Sequence, residues 1–455
     1  MQDDAYVLSF VMAGGRGSRL KILTKDRSKA AVTILGHYRI FDFVATNIEN
    51  SGIPVMTIAT QFGPETLTTH IGNGDIWGFD GFNKRLEIFH PHEHGRNLVT
   101  FEGTADSVRK NVDRIDKYNP NIVLILGGDH IYYMNYKDAI LWHEMSKADI
   151  TIMTNVVPEI KAKDFGIVKI DESGRIIDFA EKPTDKHVIE NFRLSSRIKR
   201  LLGINETGLD FLASMGNYIF FWNNLKHFLC MPGIDFGKDI IPAMKANGAR
   251  LYAYVFNDYW RDVGRIQDYF DCNMNFIDEK PPIDLLKNQI RTHERHLPSV
   301  QIARDTSVQS AILSPGDVIN RESIVTNSVI GYQSIVEEDC HVDHCIFLGA
   351  SRNEYYNNRI RRGYTTLIGK GSRIRYAILD KNIWIGDHVN IDPDNGTPEE
   401  RQLKLQSIGL KPYKELDDGT VEGDFTIDPD TGILVIGRQY DADPKTPILP
   451  SGLVV

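Results

Sequence analysis

Residues 11–32 read VMAGGRGSRLKILTKDRSKAAV, with Gly14, Gly15 and Gly17 followed by Arg16, Arg19, Lys21, Lys25, Arg27 and Lys29. Glycine lets the main chain approach a ligand closely and take φ > 0, so that consecutive N–H groups converge on phosphate oxygens. The cations add the opposite charge. The spacing matches neither a P-loop, which ends in Gly-Lys-Ser/Thr, nor the GxGxxG dinucleotide fingerprint. Two readings therefore fit the stretch alone: a phosphate cradle, or a glycine-rich turn with solvated basic residues. A second candidate is Asp129, which follows the apolar run NIVLIL and projects from the end of a strand, either to serve chemistry or to cap the next turn. His90, His92 and His94 alternate in a loop and lack a partner cluster, so they read as solvated rather than as metal ligands.

These residues need a frame. VLSFVMA, VMTIAT, IVLILGGD and ITIMTNVV are apolar enough for strands buried on both faces, while RIFDFVATNIENSG and YKDAILWHEMSKA have helical spacing. That alternation predicts an α/β domain with a mainly parallel sheet, whose ligands sit at the carboxyl ends of the strands. Beyond DEKPPIDLL the pattern changes, and Pro281, Pro282 and Pro298 bracket a connection. We expect a domain over 1–280, a linker over 281–298 and a second domain over 299–455.

In the second domain an apolar residue falls at every sixth position: Ile312, Val318, Ile324, Ile330, Val336, Val342 and Leu348. Leu379, Ile385 and Ile391 resume the run after an insertion containing EYYNNRIRRGY. A six-residue period fits neither helix nor simple strand, and predicts a parallel β-helix that stacks one aliphatic residue per face. Its exposed ends call for contact with another subunit or with the first domain.

A chain of 455 residues is long enough for two cores. With 42% hydrophobic and 25% charged residues and no apolar run of membrane-spanning length, it reads as soluble. The start MQDDAYVLSF has no basic region before its apolar stretch, and four cysteines show no metal spacing; the expectation is a cytoplasmic protein with reduced thiols. A net charge of −9 argues against general nucleic-acid binding.

AGGRGSRL followed by KDRSKAAV resembles the nucleotide-binding signature of sugar-phosphate nucleotidyltransferases. HYRIFDFVATNIENSGI, GTADSV, GGDHIY, DFGIV, FAEKP, ASMGNYIF, DFGKDIIP and YWRDVG narrow the resemblance to the ADP-glucose pyrophosphorylases, and AILDKNIWIGDHVNI and GILVIGRQYDA resemble that family's C-terminal region. The resemblance implies a Rossmann-like mainly parallel sheet followed by a left-handed parallel β-helix, joined in a homotetramer. It implies ATP and glucose 1-phosphate as substrates and Mg²⁺ as cofactor, with ADP-glucose made for glycogen or storage-glucan synthesis. Gly14, Gly15 and Gly17 would cradle the nucleotide, with Gln61 and Gly103 on its adenine side. Arg19 and Lys29 would meet phosphates. Asp129 and Asp262 would hold the metal. Lys182 would bind the sugar phosphate and Glu181 the sugar hydroxyls, with Gly166 and Ser214 nearby. Lys29 and Arg438 are candidates for an anionic effector.

The chain departs from the family where PAQQR is replaced by PHEHG at 91–95 and WYxGTA by TFEGTA at 100–105, which brings Glu102 to the nucleotide side. Ala30 stands where relatives commonly have proline. Two alternatives stay open: the same fold using another nucleotide or sugar phosphate, and a catalytically silent regulatory subunit.

Overall fold

The computed structural model describes residues 6–90, 92–94, 97–350, 365–417, 420–438 and 446–455. The side chains of His92 and His94 and the EYYNNRIRRGY insertion lie outside the described parts. The chain forms two compact units, Met1–Gly15 with Phe43–Trp260, and Arg16–Asp42 with Arg261–Val455. Arg16–Asp42 and the segment from 261 onward are tied together within the second unit. There the Leu35 N–H donates to Asn273 Oδ1 at 2.9 Å, the Tyr269 hydroxyl donates to the Thr33 carbonyl at 2.5 Å, and Arg27 pairs with Asp380 at 2.6 Å.

The first unit is built on a nine-stranded sheet: β1 (Val7–Met12), β2 (Val55–Ala59), β3 (Arg85–Phe89), β4 (Ile122–Gly127), β5 (Ile150–Pro158), β6 (Gly166–Ile170), β7 (Ile176–Glu181), β8 (Leu209–Phe221) and β9 (Leu251–Phe256). The path runs β7-β6-β8-β4-β1-β2-β3, and β5 pairs with β8 and β9. The part β4-β1-β2-β3 is parallel, as the continuous apolar runs predict, and β4 is buried along its whole length. β8 is antiparallel to β4, β5 and β6, and its thirteen residues join the parallel part to the β6–β7 hairpin. Since β1 has β2 on one side and β4 on the other, the sheet switches direction beside its carboxyl end, where α/β sheets open a crevice for ligands. Helix Tyr136–Ser146 is one of those the spacing anticipates.

The second unit contains the β-helix. Its strands stack in parallel on partners seventeen residues apart, Ser307 on Ile324 and Ile324 on His341. This corrects the strict six-residue expectation. Ile324 is 38% exposed while Val325 is buried, and Ile319 rather than Val318 enters the core. From Ile330 through Val336 and Val342 the expected phase holds, and Leu379, Ile385 and Ile391 are also internal. The reason is geometric: a coil that closes in seventeen residues has one face a residue short, so an eighteen-residue period drifts by one position per coil. Tight left-handed corners recur at the coil spacing, at Asp305, Glu322 and Asp339. The cysteines are free; Cys345 is buried in this core, and burial pushes its thiol up to about 12. No helix among the described residues is long and apolar enough to cross a membrane.

Candidate active site

The first unit carries a cleft of about 500 Å³ at the carboxyl ends of its central strands, bounded by Met12, Ala59 and Gly127. Gly14, Gly15, Gln61, Gly103, Asp129, Glu181 and Lys182 line it. A Cβ on Gly14 would lie 3.3 Å from the Gln61 main chain, whereas one on Gly15 would meet nothing within 4 Å, so the closely packed glycine is the first. Gln61, expected on the adenine side, spends its amide on a neighbouring loop. The Phe101 N–H donates to its Oε1 at 2.5 Å, and its Nε2 donates to the Phe101 carbonyl at 3.1 Å. It thereby sets the Phe101–Gly103 wall. Gly103 allows that wall to pass close to Ile234, whose carbonyl oxygen would lie 2.4 Å from a Cβ there.

Glu181 ends β7 with its carboxylate held between two glycines. A Cβ at Gly166 or at Gly237 would sit 2.5 Å from Glu181 Oε2. Gly166 and Ser214 are not at the cleft surface: Gly166 makes room for Glu181, and the buried Ser214 Oγ accepts from the Gly216 N–H at 3.2 Å. Burial, then Asp235, raises the carboxyl pKa of Glu181 against the opposing pull of Lys182 and Lys238. Adjacent residues of an extended chain point opposite ways, which leads one to expect Glu181 and Lys182 apart. Lys182 instead has φ +45°, its N–H donates to the Phe165 carbonyl at 3.1 Å, and its Nζ lies 3.9 Å from Glu181 Oε1. A left-handed lysine ahead of a proline is a costly backbone state, of the kind that persists where the surroundings hold it. Gly237 and Asp235, missed from the residues alone, were signalled only by DFGKDIIP.

Asp129 sits just beyond β4, with its side chain one-third exposed and the His130 Nε2 3.5 Å from its Oδ1. The turn is set from behind by a buried polar chain. The Gly127 N–H donates to Asn217 Oδ1 at 2.8 Å, Asn217 Nδ2 donates to the Tyr132 oxygen at 3.0 Å, and the Tyr132 and Tyr136 oxygens are 2.6 Å apart. Burial raises the Tyr132 hydroxyl to about 12, so it stays protonated.

Three other expected residues gather in the second unit. Lys29, only 6% exposed, forms an ion pair through Nζ with Asp262 Oδ1. Gly17, in the left-handed region at φ +68°, leaves the space Lys29 fills, since a Cβ there would be 2.8 Å from Lys29 Cβ. Gly264 does the same beside Arg19: a Cβ would meet Arg19 Nη2 at 3.0 Å and Asp262 Oδ2 at 3.3 Å. Arg19, Lys29 and Asp262 thus form one cluster, and the basic row of the sequence divides. Arg27 is buried against Asp380, and Lys25 donates to the Gly423 carbonyl at 2.9 Å.

The Nucleotidyl transferase family matches residues 8–279, and the GLGC left-handed parallel beta-helix domain matches residues 295–408. A glucose-1-phosphate adenylyltransferase of Acetivibrio thermocellus is 33% identical over 446 residues, covering 96% of this chain and 93% of the relative. One of Lachnospira eligens is 38% identical over 339 residues, covering 73% and 74%. The chain belongs to the ADP-glucose pyrophosphorylase family of nucleotidyl transferases.

In this ADP-glucose pyrophosphorylase-family chain a further group stands out, one that spacing did not reveal. Arg27, Arg39, Arg295 and Lys381 lie within electrostatic reach of one another inside the second unit, with Asp380 opposing their mutual repulsion. Lys381 is only 6% exposed; burial, then Arg39, Arg27 and Arg295, depress its pKa well below the lysine range, with Asp380 opposing. Burial and the neighbouring guanidiniums pull Arg39 down to about 10, and its Nη1 donates to Thr33 Oγ1. Arg295 lies over the Tyr332 ring at 4.8 Å and donates to the Ala350 carbonyl at 3.0 Å. Arg438, half-buried just past the strand Leu434–Ile436, belongs to the same unit.

Proposed function

We propose that this protein transfers the adenylyl group of ATP to glucose 1-phosphate, forming ADP-glucose and releasing pyrophosphate. The observation that carries the reading is the convergence of Gly14, Gly15, Asp129, Glu181 and Lys182 on one cleft at the sheet's switch point, in a chain similar to adenylyltransferases over nearly its whole length. A phosphate oxygen of the sugar attacks the α-phosphorus, and the bond to the bridging oxygen of the β-phosphate breaks, so pyrophosphate leaves. The sugar phosphate's second ionisation lies near pH 6, so it needs little help from a base. Charge is the larger obstacle: two unit charges about 5 Å apart repel by roughly 3 kcal/mol at an effective dielectric of 20. The main-chain N–H groups of Gly14, Gly15 and Gly17, with Arg19 and Lys29, would offset it. Lys182 would hold the sugar phosphate and Glu181 the hydroxyls.

Magnesium fits the donor chemistry. Among the described residues no group of three or more His, Cys, Asp or Glu side chains gathers into a protein-only metal cage, and an ion that keeps waters and phosphates needs only one or two carboxylates. Asp129 and Asp262, the two carboxylates that the family resemblance implies, are our proposed ligands. When bound, the ion would neutralise phosphate charge.

The test is pyrophosphate release over a matrix of ATP, UTP, GTP and CTP against several hexose 1-phosphates. Preference for another pair would replace the substrate assignment, and silence in every cell would favour the regulatory-subunit alternative. Arg19, Asp129, Lys182 and Asp262 are all present, which supports catalysis.

We further propose anionic regulation. The group Arg27, Arg39, Arg295 and Lys381 would gain from a phosphorylated or carboxylated metabolite that relieves like-charge repulsion, and Lys29 and Arg438 remain our candidates from the resemblance. A flat activity response over a panel of sugar phosphates and glycolytic acids would remove the idea. From the resemblance we propose the role in glucan synthesis and the homotetramer, which light scattering tests; the cytoplasmic location is our proposal from the sequence start and the scattered cysteines.

A further inference from the structure

We infer that Lys29 is a latch on Asp262, keeping that carboxylate from a divalent cation until nucleotide phosphate draws the ammonium away. The inference rests on the proposed metal role of Asp262 and concerns the order in which the site fills. One carboxylate oxygen, Oδ1, is taken by the Lys29 ammonium. The other, Oδ2, faces Gly264 on the side where Arg19 Nη2 lies, both within 3.3 Å of the position a Cβ on Gly264 would occupy. Two cations therefore bracket one anion. An arriving divalent ion finds Oδ1 already engaged by an ammonium.

The pair is built to hold. The Lys29 side chain and that of Asp262 are 6% and 17% exposed, so their attraction is weakly screened. The lysine lies in a short turn, where the Ala31 N–H donates to the Ser28 carbonyl at 3.0 Å, and its Cβ packs into the gap left by Gly17. The backbone and the stem are fixed, leaving the ammonium as the movable end. A triphosphate offers that ammonium several anionic oxygens in place of one, and offers Arg19 the same. Asp262 is then released as nucleotide enters, and metal joins together with phosphate. On the way out, departure of pyrophosphate lets Lys29 close again and favours expulsion of the ion with the product.

The experiment is electron paramagnetic resonance titration of free Mn²⁺ with the full-length protein, first without nucleotide. Wild type should bind weakly, whereas Lys29→Met and Lys29→Gln should each bind about tenfold more tightly or better, since a full positive charge beside the ligand has gone. The second substitution guards against misfolding of the first. Adding Asp262→Asn to either should abolish the gain. In parallel, Mn²⁺ is titrated with α,β-methylene-ATP present against wild type and Asp262→Asn. If Lys29→Met and Lys29→Gln match wild type without nucleotide while Asp262→Asn still weakens the nucleotide-bound ion, the latch is wrong and the metal role stands. If Asp262→Asn changes nothing with nucleotide present, the metal role falls and the latch with it.

Discussion

Gly237→Ala is the sharpest probe of the sugar side of the cleft. The added Cβ would lie 2.5 Å from Glu181 Oε2, 2.8 Å from its Cδ and 3.3 Å from its Oε1. Ordinary contact begins at 3.4 Å, so the carboxylate must retreat by about 1 Å. The clashing atoms belong to the tip of a flexible side chain and Gly237 is not in the left-handed region, so the fold absorbs the change for about 1 kcal/mol or less. Function should not. A misplacement of about 1 Å in a positioning group costs up to about 100-fold. Steady-state kinetics should therefore show KM for glucose 1-phosphate raised roughly 10- to 100-fold, with KM for ATP changed by no more than about twofold. Shortening the obstructed side chain, in Gly237→Ala with Glu181→Asp, should recover part of the loss. The reasoning is refuted if Gly237→Ala leaves the sugar-phosphate KM unchanged, or raises both KM values alike. Gly166→Ala supplies the contrast, because there the Cβ also meets the Phe179 ring at 3.0 and 3.2 Å and stability should suffer as well.

Lys182→Ala should raise KM for the sugar phosphate about tenfold or more with little change for ATP, and the reverse pattern would remove Lys182 from the sugar side. Arg27→Ala removes the guanidinium paired with the Asp380 carboxylate, 1% exposed, but Arg39 and Lys381 still offset that charge, so calorimetry should find a loss of about 1–3 kcal/mol. Part of that should return in Arg27→Ala with Asp380→Asn; an unchanged stability in Arg27→Ala would mean the pair is energetically idle. His143 is buried with Nδ1 2.8 Å from Thr151 Oγ1, and burial lowers its pKa to about 4, with Asp149 opposing. From pH 6.5 down to about 4 the unfolded chain binds a proton there that the folded chain refuses. Stability present above pH 6.5 is lost on acidification, by about 3 kcal/mol. His143→Gln should flatten that part of the urea-denaturation pH profile, and an unchanged slope would count against the assignment.

Much of the cleft was legible before any coordinates. Gly14, Gly15 and Asp129 line it because each follows a strand whose apolar run is visible and whose carboxyl end opens on one edge of the sheet, whereas Gln61, Gly103, Glu181 and Lys182, which line it too, were marked only by the family resemblance. Gly166 and Ser214 sit behind the surface, since a motif match records that a residue type is required without saying whether it touches ligand or makes room for one that does. The Asn217–Tyr132–Tyr136 chain left no local trace, because its members are ordinary polar residues until folding buries them together.

That the central strands are buried on both faces, that a glycine turn follows β1 and that a coiled solenoid exists could be read from the residues alone, from which are apolar or glycine and at what interval. Tertiary structure decided the phase of that solenoid, since closing each coil in seventeen residues is a property of its corners and not of its aliphatic period. It also decided which cations of the basic stretch serve which partner. Arg27 meets Asp380 and Lys29 meets Asp262, carboxylates hundreds of positions away, and no local pattern encodes which opposite charge the folded chain will bring to a side chain.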